Sequence, residues 1–329
     1  MTVFIRAYGS HLMGMGHLYR IEKLVKQLRK EINCNITLFT RKFDESVSIY
    51  EKIDVDKVIE ISQKISIDKE VKELESVLIN GYDILINDQL NTDVEIANIL
   101  TKYSKKHITF DDLGDGNYLF EHIINVLYPS NKKLDNEINL YSYMLLNDYS
   151  NIKAKVTFKE DVRTIFINQG AADTWGAIPD MIKDLNLMQY DFKIKVLLGP
   201  SFQHFDELAE VLKSNETQIE IFNFTDSVVK LVKDCDLAIL GAGNTLFEVA
   251  SLGIPIIAST REEKELITID RLLKDNIVYA INTIYKDGLN NLVKEVIEDK
   301  SGREIKYTQN RELFQYDGLK KIVKLIVGG

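Results

Sequence analysis

His17 follows two closely spaced glycines, Gly14 and Gly16, and opens an amphipathic stretch in which Leu18, Ile21, Leu24, Val25 and Leu28 share one face. Glycines there let backbone amides approach a ligand, and a helix beginning at that point turns its positive dipole end toward an anion. His17 falls in the first helical turn, where the same dipole disfavours imidazolium and keeps the ring neutral. A neutral imidazole can act as general base toward water or a sugar hydroxyl; capping or packing the helix start is the plainer use of the residue. The loop lacks the third glycine of a dinucleotide fingerprint, and Arg41 and Lys42 follow the second strand where that fingerprint needs an acid. It also lacks the Gly-Lys-Ser/Thr of a phosphate-loop nucleotidase.

A second apolar run ends in Gly241-Ala242-Gly243-Asn244-Thr245, with Glu248 one helical turn further on. Asn244 or Thr245 suits the helix cap, and the amides of Gly243, Asn244 and Thr245 can hold a diphosphate without a metal ion. Both oxygens of Glu248 can accept from ribose hydroxyls; a solvated first-turn carboxylate is the alternative.

Asp88 and Asp112 fall at or near the ends of strand-like runs, where each can orient sugar hydroxyl or acetamido groups or cap a turn. Glu262 and Glu263 read as a solvated pair, and Trp175, the only tryptophan, suits either ring stacking or packing. Of the five histidines, only His11 and His17 share a loop, and no Cys or Glu near them completes a metal-ligand spacing. Neither a cofactor nor a metal is implied. A Gly-x-Ser-x-Gly elbow for a hydrolytic triad is also missing from the sequence.

These groups need strands that end beneath them. Apolar runs of strand length occur at residues 2–8, 35–40, 83–87, 107–111 and 123–127, then at 164–168, 193–198, 219–222, 236–240, 254–258 and 277–280. They lack strict alternation and are separated by amphipathic helical stretches, which predicts parallel strands buried on both faces. The fold class is therefore α/β, with two Rossmann-like doubly wound domains at residues 1–152 and 153–329. A ligand cleft is expected between them. The polar stretch at 147–161 marks the boundary, and a last helix near 318–327 can pack back on the first domain.

Over 329 residues, 41 Lys+Arg against 50 Asp+Glu leave a net charge of −9, which argues against general neutralisation of a nucleic-acid backbone. No apolar run approaches the roughly 18 residues of a membrane span, and the first residues do not read as a secretory leader. Tyr128 with Lys132 and Lys133 offers only a faint membrane-facing patch. Cys34 and Cys235 suit buried free thiols. A soluble, cytoplasmic monomer is expected.

The ordered motifs resemble the GT-B-like (PseG-like) hydrolases of nonulosonic acid and spore-coat polysaccharide biosynthesis. Gly14-Met15-Gly16-His17 with Arg20 is similar to that family's GMGHxxR motif, and Phe110-Asp111-Asp112-Leu113 to its DDL segment. Tyr143-Met144-Leu145-Leu146, Gln169-Gly170-Ala171-Ala172-Asp173, Leu198-Gly199-Pro200, residues 241–248 with Leu252-Gly253-Ile254-Pro255, and Asp317-Gly318 follow in the family's order. The chain departs from the family at Leu90, Gln169, Ala171, Asn244 and Phe247, positions that bear on sugar recognition more than on the nucleotide platform.

The resemblance implies hydrolysis of a UDP-linked diacetamido-trideoxyhexose or similar amino sugar, with His17 catalytic, the sugar on the N-terminal side and UDP on the C-terminal domain. It also implies substrate-binding roles for Gly14, Gly16, Arg20, Asp88, Asp112, Gly170, Asp173, Gly243, Asn244, Thr245 and Glu248. A GT-B glycosyltransferase using a UDP-sugar donor and a non-catalytic nucleotide-sugar binding protein are the alternatives.

Overall fold

The computed structural model describes residues 1–10, 15–127, 134–188, 190–213, 217–223, 225, 227–259, 263–281 and 288–328. The chain forms two compact units. Unit 1 comprises Met1–Leu145 and Asp317–Gly329, and unit 2 is Leu146–Tyr316. The chain passes between units twice, after Leu145 and after Tyr316. Residues 146–152 go with unit 2 because Tyr149 bonds to Glu248 and packs edge-on against Tyr316.

Unit 1 runs β1 (Thr2–Ala7), α1 (Gly16–Glu31), β2 (Asn35–Lys42), α2 (Asp44–Tyr50), β3 (Lys57–Ser62), α3 (Ile67–Leu78), β4 (Tyr82–Asp88), α4 (Val94–Lys102), β5 (Ser104–Phe110), β6 (His122–Ile124) and β7 (Glu137–Ile138). Its strands pair in parallel in the order β3-β2-β1-β4-β5-β6-β7. Two of them escape a search for apolar runs. β3 is an edge strand, Lys-Val-Ile-Glu-Ile-Ser, with mostly solvated side chains, and β7 is only two residues long. Arg41 and Lys42 are the last residues of β2 rather than part of a following loop.

Unit 2 runs α5 (Ser150–Lys153), β8 (Thr164–Asn168), α6 (Ala177–Leu187), β9 (Lys193–Leu197), α7 (Phe205–Lys213), β10 (Gln218–Phe222), α8 (Val228–Val232), β11 (Leu237–Gly241), α9 (Asn244–Leu252), β12 (Ile256–Ser259), α10 (Glu263–Lys274), β13 (Tyr279–Ile281), α11 (Leu289–Glu298) and α12 (Lys300–Leu313). The sheet is again parallel, in the order β10-β9-β8-β11-β12-β13. The last helix, α13 (Gly318–Val327), belongs to unit 1 and contacts α1 and β5 there. Gly318 is fixed by that packing, since a Cβ on it would lie 2.3 Å from the carbonyl oxygen of Met144.

Each sheet has its own core. In unit 1, Phe4, Phe39, Leu74, Leu85, Leu100 and Phe120 meet on one face; in unit 2, Ile165, Met181, Ile194, Leu237 and Val293 do the same. Burial of both sheet faces accounts for the unalternated apolar runs. Cys34 and Cys235 are buried free thiols. No helix among the described residues is long and apolar enough to cross a membrane.

Candidate functional site

Strand order reverses between β1 and β4 in unit 1 and between β8 and β11 in unit 2. Open parallel sheets bind ligands at the carboxyl ends of strands beside such a reversal, because the connecting helices leave on opposite faces and open a crevice. His17 follows β1, and Asp88 is the last residue of β4. The loops that follow β8 and β11 hold Gly170 and Gly243. His17 and the glycine turn after β11 thus lie at the two reversal points.

In unit 1 the reversal point holds a chain of charged groups. Nδ1 of His17 donates to Oδ1 of Asp88 at 2.6 Å. Asp88 is fully buried and takes a two-pronged hydrogen bond from Arg20, Nε to Oδ2 at 2.7 Å and Nη2 to Oδ1 at 2.6 Å. The other terminal nitrogen of Arg20 pairs with Asp111, and the guanidinium lies over the Phe110 ring at 5.2 Å. Arg20 reaches Asp88 because it sits one helical turn beyond His17, on the same face of α1.

Burial alone would push the Asp88 carboxyl up, but the charges and hydrogen bonds of Arg20 and His17 outweigh it and hold it below the usual carboxylate range. An ionised Asp88 can only accept, so the His17 proton is on Nδ1 and Nε2 carries the lone pair. The helix start is therefore not the only constraint on His17; Asp88 also sets the direction of its ring. Asp88 and Arg20 thus hold one another, and Asp88 holds the His17 ring.

Asp111 was not among the sequence-derived site residues. Its signals are its place just past β5 and a left-handed backbone, φ 44°, which is uncommon for a residue with a side chain. That geometry turns one carboxylate oxygen to Arg20 and the other to the amide of Leu127.

Asp112 does something else. It is fully buried and accepts from the amides of Thr92 and Gly114 and from the side chains of Thr109 and Asn87. Burial pushes its carboxyl up, against the pull of those hydrogen bonds. Asp112 therefore ties the loops after β4 and β5 together, the turn-capping use that its place in the sequence also allows. Asn87 links it to a second buried cluster, in which Arg6, Tyr8 and Arg41 all donate to Glu70.

In unit 2, α9 begins differently from the expectation. Gly243 occupies the N-cap, with Asn244 and Thr245 inside the helix, and no side chain caps the helix start. First-turn amides left uncapped at the end of a glycine turn are ready donors for an anion. A Cβ on Gly243 would meet nothing within 4 Å, so the turn faces open space. Glu248 lies on the next turn, where the Tyr149 hydroxyl donates to its Oε1 at 3.1 Å.

Beside this loop, Gly170 takes a left-handed φ of 75°, also with open space at its Cβ position. Gly199 is packed so closely against the β8 loop that a Cβ would lie 2.2 Å from the Ala171 carbonyl oxygen. Asp173 is committed: its two oxygens accept from the amides of Ala177 and Ile178 at the start of α6. In this arrangement it fixes the start of α6. Trp175 is 59 % exposed and so stands outside the core of unit 2. Gly16 opens α1, while Gly14, His11, Tyr128, Lys132, Lys133 and Glu262 lie outside the described residues. Among the described residues, no group of three or more His, Cys, Asp or Glu side chains could hold a metal ion.

With this geometry in place, the similarities to known proteins can be stated. Residues 164–322 match the glycosyltransferase family 28 C-terminal domain. The whole chain superposes on MurG of Acinetobacter baumannii with a TM-score of 0.76 at 11% identity, covering 99% of this chain and 98% of that one. The fold is GT-B.

The UDP-GlcNAc 2-epimerase of Neisseria meningitidis, solved bound to UDP-GlcNAc, matches over 100% of both chains with a TM-score of 0.63 and 14% identity. Among relatives by sequence, the uncharacterized protein MJ1062 of Methanocaldococcus jannaschii is 32% identical over 292 residues. That match covers 83% of this chain and 58% of the relative, so the chain spans little more than half of that protein's length. The spore coat polysaccharide biosynthesis protein SpsG of Bacillus subtilis is 24% identical over 287 residues, covering 82% of this chain and 80% of SpsG.

Proposed function

We propose that this GT-B protein is a nucleotide-sugar hydrolase that releases UDP from a UDP-linked amino sugar, a diacetamido-trideoxyhexose or a close relative, for surface-polysaccharide or nonulosonic acid biosynthesis. The observation that carries the reading is the oriented histidine, with Nδ1 of His17 fixed 2.6 Å from buried Asp88 and Nε2 left as proton acceptor. The base lies in unit 1, and the glycine turn suited to the diphosphate lies in unit 2. Water attacks the anomeric carbon on the face opposite the diphosphate, and one of its protons passes to Nε2. The bond from the anomeric carbon to the diphosphate oxygen breaks, its electron pair leaves with UDP, and the centre inverts.

Amides of Gly243, Asn244 and Thr245 meet the charge that develops on the leaving diphosphate, so a metal ion is not required for that step. Glu248 accepts from the ribose. The name of SpsG supports the biosynthetic setting, and the UDP-GlcNAc held by the epimerase supports the ligand class. Incubation with a panel of UDP-sugars, UDP-diacetamido-trideoxyhexoses included, is expected to yield UDP and free sugar from water alone. Stoichiometric UDP binding without turnover across the panel would overturn the enzymatic reading.

The match to the glycosyltransferase family 28 domain favours a second reading, in which an acceptor hydroxyl replaces water. A glycoside formed only when acceptor is supplied would establish it. Both readings need Glu248. Its replacement by alanine is expected to weaken UDP binding by roughly tenfold or more, the scale of a hydrogen bond to a charged group. Calorimetry measures this, and unchanged affinity would remove the ribose role.

A further inference from the structure

A glutamate near a helix start ordinarily samples several rotamers, yet Glu248 is held from two directions by residues near opposite ends of unit 2. Tyr149 is buried; its phenol oxygen accepts from Nδ2 of Asn147 at 3.1 Å, and its hydroxyl donates to Oε1 of Glu248 at 3.1 Å. Its ring stands edge-on to Tyr316, with centroids 5.9 Å apart and planes at 86°. Ser251 Oγ donates to the Glu248 carbonyl oxygen at 2.7 Å, so the 3.1 Å contact between Ser251 and Tyr316 has the tyrosine hydroxyl as donor. Side chain and backbone of Glu248 are thus both fixed before any ligand arrives.

A fixed carboxylate discriminates more sharply than a mobile one. If one ribose hydroxyl is missing, a mobile side chain turns back to water, whereas a held one is left facing a gap. We infer that Tyr149 is the positioning residue that makes unit 2 select ribonucleotides over 2′-deoxyribonucleotides, acting through Glu248; this rests on the nucleotide reading above. Burial raises the Tyr149 hydroxyl well above its ordinary value, and Glu248 adds to the shift, so the group stays a donor at any working pH.

The test is calorimetry on the full-length chain with UDP and 2′-deoxy-UDP. Wild type is expected to favour UDP by about tenfold or more. Tyr149→Phe keeps the ring and its packing on Tyr316; it should bind 2′-deoxy-UDP as wild type does but retain a preference for UDP of only about twofold. In a Glu248→Gln background the same substitution should add little further loss, because the coupling it removes is already gone. Equal weakening toward both nucleotides would assign Tyr149 a purely structural role and overturn the inference, as would an unchanged preference. Wild type that binds neither nucleotide would instead sink the nucleotide reading itself, a distinguishable result.

Discussion

His17→Ala is expected to lower UDP release by about 10²- to 10⁴-fold, the range that one positioned general base contributes. The expectation follows from the His17–Asp88 bond of 2.6 Å and the two-pronged grip of Arg20 on Asp88, which together set tautomer and ring direction. Alanine at this position keeps α1 intact, since the buried stripe of Leu18, Ile21, Leu24, Val25 and Leu28 lies elsewhere on the helix. UDP affinity should therefore stay within about twofold while turnover collapses, because unit 2 is untouched. Asp88→Asn should also slow turnover, by leaving Nδ1 without a carboxylate and half of Arg20 without its partner. Full turnover by His17→Ala would show that another group moves the proton.

The largest effect on stability is expected from Glu70→Ala. Glu70 is fully buried and accepts from Arg6 Nε at 3.0 Å, Arg6 Nη2 at 2.7 Å and the Tyr8 hydroxyl at 2.7 Å, and it pairs with Arg41. Removing it strands the buried Arg6 guanidinium and leaves Arg41 stacked on Tyr8 with no counter-ion there. Breaking a buried pair on one side typically costs about 3–5 kcal/mol, and urea titration of unit 1 signals should show a loss of that size.

The pH dependence has a definite sign. Burial alone would raise the Glu70 carboxyl, but Arg6, Arg41 and the Tyr8 hydroxyl outweigh it and hold it below its ordinary value. A depressed folded-state value means that the stabilisation is fully present above the unfolded carboxyl's pKa of about 4.3 and is lost as pH falls through the folded value. The gap in urea midpoint between wild type and Glu70→Ala should accordingly be constant near neutrality and shrink below about pH 4. A gap that widened in acid would show that Glu70 is not the ionised hub of this cluster.

Much of the molecule was legible in the chain order of its residues. Runs such as 164–168 and 236–240 are apolar without alternation because parallel strands are covered on both faces, and glycines directly past them mark the loops that face a ligand. The type and spacing of His17 and Arg20 likewise identified one face of one helix start. What sequence could not supply was the pairing across distance. Asp88, Asp111, Asp112 and Asp173 are four aspartates at or past strand ends, and only the tertiary structure separates them.

Asp88 meets His17 because β4 is hydrogen-bonded beside β1, a neighbour relation fixed by the whole sheet. Asp111 turns to Arg20 through its left-handed backbone, while Asp112 and Asp173 are consumed by nearby amides. The carboxylate hub at Glu70 and the Tyr149 clamp on Glu248 were invisible for the same reason. Their partners lie 64 and 99 residues away, and burial, not local pattern, selects which charges must find each other. The sequence by itself determined the two sheets and set His17 at a helix start behind a glycine-rich segment; the strand order decided which carboxylate meets it.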